Sequence, residues 1–180
     1  PVPVLAWNVT TVTGNAAEVK AFADADQAAT ITAAANYAAT ISGNTSVAQA
    51  NAIDAENGTG EITATIDNTT TVADLKTLTG THAYTITIAA GDATAAAVDL
   101  TAIDTATSIA VVAGNVTAIT GDAAQVKAFA DADAAATITA AANYAATISG
   151  SPTVAQVNAV DAQNGTGEIP ATIDTTTTVA

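Results

Sequence analysis

The chain contains no cysteine and no methionine, and His82 is its only histidine. Without cysteine there is no disulfide, no thiolate nucleophile and no cysteine-based zinc site. One histidine is too few for a metal centre built from several imidazoles, and a Ser-His-Asp triad could form only around His82. His82 lies within residues 79–83, which we predict to be an exposed turn before a strand. The sequence therefore predicts no catalytic residue and no enzymatic activity.

Positive charge is also scarce. Lys20, Lys76 and Lys127 stand against 17 acidic residues, and the formal net charge is −14. Phosphate groups are bound by clustered lysines and arginines, so we expect no nucleic-acid partner. No apolar run approaches the roughly 18 residues that a membrane-spanning helix needs, so we expect no membrane insertion. No basic segment precedes an apolar run, and any targeting signal is expected outside this segment.

The apolar residues make up 49% of the chain and are mainly Ala, Val and Ile, whereas aromatic residues make up only 3%. Small and stiff side chains suit a narrow, regularly layered interior better than a bulky core. Because charged residues are only 11% of the chain, a disordered polymer is not expected either.

The chain repeats itself over a long period. Residues 8–73 return at 115–180, so that Asn8 recurs as Asn115. We therefore divide the chain into a first super-repeat over residues 1–115 and a partial second one over 116–180, within one continuous fold. The second copy stops at the counterpart of Ala73, so we expect the array to be cut from a longer protein.

A shorter period of about 23–32 residues lies inside the long one. Each short unit contains three apolar residues at i, i+3 and i+6, which places a narrow apolar stripe on one face of a short helix. Thr45 and Thr70 or Thr71 stand where N-caps are expected for two of these helices. The triplets are Ala16/Val19/Phe22, Val47/Ala50/Ile53, Val72/Leu75/Leu78, Ala97/Leu100/Ile103, Ala123/Val126/Phe129 and Val154/Val157/Val160.

Each triplet is followed by a short alternating segment, typically of Ile and Thr, which predicts a strand with the apolar residue inward and Thr outward. Pro170 removes a backbone donor from the last of these segments, so that unit is expected to be kinked or paired on one side only. Asn or Asp residues suited to turns often follow. The predicted strands cover residues 30–32, 61–66, 85–88, 108–111, 137–139 and 168–173, and the turn residues are Asn36, Asp67, Asp92, Asn115 and Asn143.

One such unit cannot bury both its strand face and its helix stripe, but stacked units can. Strands separated by a helix are expected to pair in parallel. We therefore predict an α/β repeat solenoid of roughly six to seven right-handed coils, with parallel strands on one side and short helices on the other. The alternative is an array of β-sandwich adhesin-like modules, in which the triplets would form strands or loops.

Two pairs of aspartates are the strongest candidates for a ligand site. Asp24 and Asp26 lie at the end of a predicted Ala-rich helix, and Asp131 and Asp133 are their counterparts in the second copy. Paired carboxylates serve in glycosidases, and carboxylate oxygens bind calcium. Enzymes usually assemble one site from unlike segments, whereas these pairs recur with the repeat. We predict solvated acidic corners, with calcium as the one candidate cofactor.

Threonines at alternate positions of the predicted strands would face solvent together. Stacked on a flat sheet, they would form an array of hydroxyl and methyl groups similar to the ice-binding face of solenoidal antifreeze proteins. Ala110 and Pro170 interrupt this array, and exposed threonine is in any case common in strands. The candidate residues are Thr30, Thr32, Thr63, Thr65, Thr85, Thr87, Thr137 and Thr139.

Residues 47–54, 71–80 and 83–88 resemble the repeats of giant bacterial surface proteins, especially cyanobacterial ones. The resemblance extends over nearly the whole chain and transfers no functional residue. It implies a secreted protein of the cell surface, of a matrix or of a filament. We expect a structural extracellular protein, and the alternative is a binding module for ice, glycan or calcium.

The ends of the chain favour self-association. Residues 1–5 are apolar, and residues 175–180 form an unfinished unit without the charged residues of a cap. A solenoid without polar end units tends to stack further, and a head-to-tail contact does not close. We therefore expect assembly into a filament or layer, strengthened by salt or divalent cations because the net charge opposes it.

Overall fold

The computed structural model of the chain describes residues 2–173, which form a mixed α/β fold of eleven strands and six helices. The strands are β1 (Val4–Ala6), β2 (Thr11–Asn15), β3 (Ile31–Ala33), β4 (Ala38–Thr45), β5 (Ile62–Ile66), β6 (Ala83–Thr85), β7 (Thr94–Ala96), β8 (Val111–Ala113), β9 (Ala118–Asp122), β10 (Ile138–Ala140) and β11 (Ala145–Ser149). The helices are α1 (Ala16–Gln27), α2 (Val47–Asp54), α3 (Val72–Leu75), α4 (Ala97–Thr105), α5 (Ala123–Ala134) and α6 (Val154–Asp161). Over the described range, none of these helices combines the length and the apolar character needed to cross a membrane.

Side-chain caps fix where most of the helices begin. The Asn15 side chain accepts hydrogen bonds from backbone N–H groups in the first turn of α1, and the Glu18 carboxylate accepts one from the N–H of Asn15. A cap of this kind typically contributes about 1 kcal/mol. The same reciprocal pair occurs at α2, α5 and α6. The predicted cap at Thr71 is confirmed, whereas Ser46 caps α2 and Thr45 ends β4 instead.

Five of the six helices contain a complete predicted apolar triplet, and α3 contains Val72 and Leu75 but ends before Leu78. In α2 and α4 all three residues of the triplet are buried, whereas in α6 only Val160 is buried. The helical stripes and the inward residues of the strands form one hydrophobic cluster that extends from Ala16 to Val160. The residues predicted to lie between helices and sheet, Leu75, Leu78, Leu100 and Ile103, are all buried.

Every strand pairing among residues 2–173 is parallel, as predicted for strands separated by helices. The order β2-β4-β5-β6 forms one sheet and β11-β9-β7 another, while β1 pairs with β3 and β8 with β10. Paired residues are separated by about one short unit of the sequence, as Thr63 opposite Ala83 and Val4 opposite Ile31 illustrate. Each strand therefore bonds to strands of the adjacent units.

Two details differ from the prediction. Most units contain a second strand directly before the helix, as β2 precedes α1 and β9 precedes α5. The predicted strands at 85–88 and 108–111 are displaced, because β6 ends at Thr85 and β8 begins at Val111. The β-sandwich alternative is wrong, since its triplets would be strands or loops and here they are helices.

Pro170 interrupts the last predicted strand. Residues 168–173 have no regular strand structure, whereas their counterparts form β5. The segment still lies against β11, because the N–H groups of Ala146 and Ile148 donate to the carbonyls of Glu168 and Pro170 at 2.8 and 3.1 Å. Pro170 thus accepts one hydrogen bond from β11 and has no N–H to return, which explains the loss of regular structure.

The three tyrosines of the chain are fully buried, and each meets another ring edge to face. Such aromatic pairs contribute about 0.5–1.5 kcal/mol beyond the area they bury. Two of the pairs are copies of each other in the two super-repeats, and the third involves the histidine. The pairs are Phe22–Tyr37, Phe129–Tyr144 and His82–Tyr84, with ring centroids 5.2, 5.3 and 5.4 Å apart.

None of the tyrosine hydroxyls has a hydrogen-bond partner among the described residues. Burial raises the pKa of Tyr37 and Tyr144 to about 12, and the nearby carboxylates of Asp26 and Asp133 add to the two shifts. Burial likewise raises the pKa of Tyr84 far above its ordinary value. The neutral phenol is therefore strongly preferred in the folded state.

We predict that no tyrosine of the folded protein ionises near pH 10, the ordinary pKa of the phenol. Because the native pKa values are raised, this contribution to stability is complete below about pH 10 and declines as the pH rises toward the native values. Tyrosinate absorbance should appear only together with the loss of helical circular dichroism. Protein held unfolded in urea is the control and should titrate near pH 10. A tyrosine that ionises there in the folded protein would show that its hydroxyl reaches solvent.

Candidate functional site

The outer aspartate of each candidate pair forms a surface ion pair. Asp24 accepts from Lys20 Nζ at 2.7 Å in α1, and Asp131 accepts from Lys127 Nζ at 2.6 Å in α5. Each lysine lies one helical turn before its aspartate, and both aspartate side chains are more than half exposed. Exposed pairs at this spacing contribute about 0.3–0.5 kcal/mol. The carboxylates of these two residues therefore lie at the exposed surface.

The inner aspartate of each pair binds the backbone. Asp26 Oδ1 accepts from the N–H of Ala33 in β3 at 2.8 Å, and Asp133 Oδ1 accepts from the N–H of Ala140 in β10 at 3.0 Å. These carboxylates fasten the end of a helix to the strand that follows it. Within residues 2–173, no cluster of three or more acidic or histidine side chains is arranged to hold a metal ion.

Part of the predicted threonine array is brought together in the sheet β2-β4-β5-β6. Thr65 lies opposite Thr85, and Thr63 lies opposite Thr40, which in turn lies opposite Thr13. All five of these threonines are exposed. The sequence pattern missed Thr13 and Thr40 because they belong to the second strand of their units. A change of register between Thr40 and the following residues of β4 limits the array to a few strands.

The other predicted threonines lie elsewhere. Thr32 and Thr139 belong to β3 and β10, which form separate two-stranded sheets. Thr30 and Thr137 precede these strands, and their hydroxyls donate to carbonyls at the ends of α1 and α5. Thr87 follows β6 and bridges to β8. The eight candidates therefore do not form one surface.

His82 is only 5% exposed, so the prediction of an exposed turn histidine is wrong. Its Nε2 lies 2.7 Å from Oδ1 of Asp54 at the end of α2, and the N–H of Ile62 donates to its Nδ1 at 3.3 Å. Because Nδ1 accepts a hydrogen bond, the proton of the neutral ring is assigned to Nε2, which donates to Asp54. The Thr79 hydroxyl donates to the other oxygen of Asp54 at 2.6 Å.

Both ring nitrogens of His82 are therefore engaged within the protein, and neither is free to take a proton from a substrate or to bind a metal. The ring joins α2 to β5 and to the segment that begins β6. In the structure His82 contacts Tyr84 edge to face as Phe22 contacts Tyr37, so it occupies an aromatic core position that the sequence spacing does not indicate.

Four of the five predicted turn residues bind a neighbouring unit, a role that the turn pattern in the sequence does not indicate. Each side chain bonds to a backbone group 20 to 27 residues away. The fifth, Asp67, accepts from the N–H and hydroxyl of Thr69 in its own turn, which lowers the pKa of its carboxyl. The pairs between units are Asn36–Thr59, Asn143–Thr166, Asp92–Val72 and Asn115–Ile88, at 3.0, 3.0, 2.9 and 2.8 Å.

The Gly-Thr-Gly turns also contact the preceding unit closely. A Cβ at Gly60 would collide with the carbonyl oxygen of Tyr37, and Gly167 stands in the same relation to Tyr144. The buried Asn57 donates to the Gly60 carbonyl at 2.7 Å, which holds the turn closed. Glycine is required here because one backbone passes directly over another.

An open groove of about 540 Å³ lies between residues 68–71, residues 87–92 and Asn115. Its described lining is made of hydroxyls, amides and small apolar groups, and the carboxylate of Asp92 is bonded to the N–H of Val72. A second open groove, of about 460 Å³, lies between α2 and the segment around α3. Neither is lined by an aromatic or a basic side chain.

Comparisons of the chain with protein families, with curated proteins and with solved structures find no match.

We predict that Asp26→Ala destabilises the protein more than Asp24→Ala. Loss of Asp26 leaves the part-buried N–H of Ala33 without a partner, which costs about 1–3 kcal/mol. Loss of Asp24 removes only an exposed ion pair, with a cost of about 0.5 kcal/mol or less. Urea unfolding followed by circular dichroism measures both free energies.

The second copy supplies a matched control, because Asp133→Ala and Asp131→Ala remove the corresponding bonds. Equal costs within a pair, or a larger cost for the outer aspartate, would contradict the two roles assigned to these carboxylates.

Proposed function

We propose that the chain is a structural module of an extracellular surface assembly, in which α/β units stack as a right-handed solenoid to build a stalk, a layer or a filament. The observation that carries this proposal is that both copies of the repeat form the same contacts between units. A stack of uniform units requires this, because every unit must present the same surfaces to its neighbours.

The repeated contacts include interior and surface bonds alike. The Phe–Tyr ring pair, the reciprocal helix cap, the inner aspartate bond and the asparagine bond to the Gly-Thr-Gly turn all occur twice. An active site built from unlike segments gives no reason for duplication of this extent. Uniform stacking gives one, since the asparagine bond joins neighbouring units in the same way in each copy and the other contacts give each unit the same shape.

The polar side chains support the same function. Many of them are used to bind the next unit. Lys76 is bonded to Asp99 at 3.0 Å across the α3–α4 boundary, and Asn51 of α2 donates to the carbonyl of Thr77 at 2.8 Å. The buried His82 and its partly buried partner Asp54 belong to this set. Functional groups that are engaged in this way hold units together rather than bind a substrate.

The extracellular placement rests on the sequence. The chain is acidic, lacks cysteine and resembles the repeats of giant bacterial surface proteins. An acidic surface keeps a long array soluble and separated from its neighbours through like-charge repulsion. The parallel ladder between units would carry load along such an array, since each joint is closed by several backbone hydrogen bonds.

A second function is supported by the aligned threonines. Thr13, Thr40 and Thr63 stand directly opposite one another on three adjacent strands, at the strand spacing of about 4.8 Å. Such a row presents hydroxyl and methyl groups regularly, as binding to an ordered surface such as ice requires. The row is short, and the stacking role accounts for more of the described contacts.

We predict that antibodies raised against the chain label intact cells, or shed surface material, of the organism that produces it. A cytoplasmic protein of the same cells is the control and should be labelled only after permeabilisation. Immunogold electron microscopy resolves the two locations. Labelling of the chain that appears only in permeabilised cells would contradict the extracellular role.

A further inference from the structure

Only two asparagines of the chain, Asn57 and Asn164, precede a glycine. In this dipeptide asparagine loses its side-chain amide most readily, because no side chain on the next residue hinders attack by that residue's backbone nitrogen. The nitrogen bonds to Cγ, the bond from Cγ to Nδ2 breaks, and ammonia leaves behind a succinimide ring. Water then opens the ring to aspartate, or to isoaspartate, in which the main chain runs through the side-chain carboxyl.

The fold requires both residues of the dipeptide. Gly58 has a φ of 66°, and a Cβ there would collide with the carbonyl oxygen of Ala35 in the preceding unit. Both the backbone conformation and the close approach therefore call for glycine. Asn57 Nδ2 donates to the carbonyl of Gly60 at 2.7 Å and to that of Tyr37 at 3.4 Å, so its amide joins the turn to the preceding unit. The stacking of units thus places a labile dipeptide at the contact between them.

The second copy repeats this arrangement. Asn164 Nδ2 donates to the carbonyl of Gly167 at 2.7 Å and to that of Tyr144 at 3.4 Å. Gly165 has a φ of 64°. The two dipeptides therefore share one environment, and each serves as a control for the other.

The folded chain protects both side chains from the reaction. Asn57 and Asn164 are 0% exposed, so water and hydroxide do not reach them. Negative charge develops on Oδ1 during the attack, and neither Oδ1 atom has a hydrogen-bond donor among the described residues. A buried oxyanion without a donor is strongly disfavoured. The reaction therefore requires the turn to open.

The products do not fit the closed turn. Aspartate has no N–H to donate, so its oxygens would face the carbonyl oxygens of Gly60 and Tyr37. Isoaspartate also lengthens the main chain at a turn whose backbone passes directly over Tyr37. Closing the turn on either product would bury an unpaired carboxylate, which is costly.

We propose that Asn57 and Asn164 are deamidation sites that are inert while their turns are closed and react when those turns open. Opening of a turn is reversible by itself, whereas the products prevent it from closing fully again. Each of these contacts between units therefore keeps a chemical record of its own openings, and prolonged opening makes the loss of the contact permanent. The reaction consumes only water, and the proposal does not depend on an extracellular location.

The reaction can be measured on the full chain in mildly alkaline buffer, once folded and once unfolded in guanidinium chloride. Fragmentation mass spectrometry identifies each deamidated residue. In the denaturant, Asn57 and Asn164 should react before every other asparagine, including Asn51 of α2, which is followed by alanine. In the folded chain both rates should be lower by about tenfold or more, because only the open fraction reacts. Equal rates in the folded and unfolded chain would overturn the proposal.

Loosening one turn tests whether each site responds to its own contact. Asn36→Ala removes the hydrogen bond from the N–H of Thr59 in the first copy, and Asn143→Ala removes its counterpart in the second. Circular dichroism establishes that both variants are folded. Deamidation of Asn57 should rise about fivefold in Asn36→Ala, the factor that one hydrogen bond contributes to an opening equilibrium, and Asn164 should be unchanged. Asn143→Ala should give the reverse. An equal rise at both sites, or no rise at the site beside the substitution, would contradict the proposal.

The effect of the product is tested with Asn57→Asp, and the exposed Asn68→Asp is a control that adds the same charge. Asn57→Asp should lower the urea concentration at half-unfolding, whereas Asn68→Asp should leave it nearly unchanged. Wild-type protein that is deamidated in denaturant and then refolded should show the same loss, which covers the case of an Asn57→Asp variant that does not fold. Full recovery of stability by the deamidated protein would show that the turn accepts the carboxylate, and the record would not be permanent.

Discussion

A single unit of this chain can neither pair the backbone groups at the edge of its own strand nor bury its own apolar stripe. Parallel pairing with the strand of the next unit does both. Ladder partners such as Val4 and Ile31, or Thr63 and Ala83, belong to successive units, so strand pairing joins adjacent units. The small side chains follow from this constraint, because the space between one ladder and one helical layer is narrow. The inward positions of β5 illustrate this with Ala64 between two isoleucines.

Residues 74–114 lie between the two copies of the repeat, and they connect two different sheets of parallel strands. The sheet β2-β4-β5-β6 ends there and the sheet β11-β9-β7 begins, with β6 paired to β5 and its continuation bridged to β8 at Thr87. His82 stands at this junction and takes the N–H of Ile62, a donor that would otherwise need a backbone acceptor. The larger groove and the short helix α3 lie in the same region.

Helices and inward strand residues could be predicted from the sequence because both depend on local spacing. Leu100 and Ile103 lie on one face of a short helix, and both are buried. The second strand of each unit could not be predicted in this way. Thr13 and Asn15 in β2 follow a weak alternation, and what makes the segment a strand is pairing with β4 of the next unit, beyond the whole of α1. Partners at that distance leave no local pattern.

The candidate residues were chosen for the chemistry of their side chains. Their roles depend on hydrogen-bond partners that cannot be identified from the spacing of residues in the sequence. Asp24 and Asp26 look alike in sequence, yet one meets a lysine of its own helix and the other meets a backbone N–H of the following strand. His82 was misassigned for the same reason, since Asp54 lies 28 residues earlier. A repeat places such partners at fixed distances, so the shift between units is the signal that could have located them.

The central claim is that added units lengthen the molecule without widening it, and small-angle X-ray scattering tests this most directly. A chain with a second copy of residues 8–114 inserted after Gly114 contains one more complete long period. With about four more units at the strand spacing of about 4.8 Å, the maximum dimension should grow by roughly 19 Å. The radius of gyration of the cross-section should stay the same. A wider cross-section with little gain in length would mean that the units pack as a globule, and it would contradict the stacked arrangement.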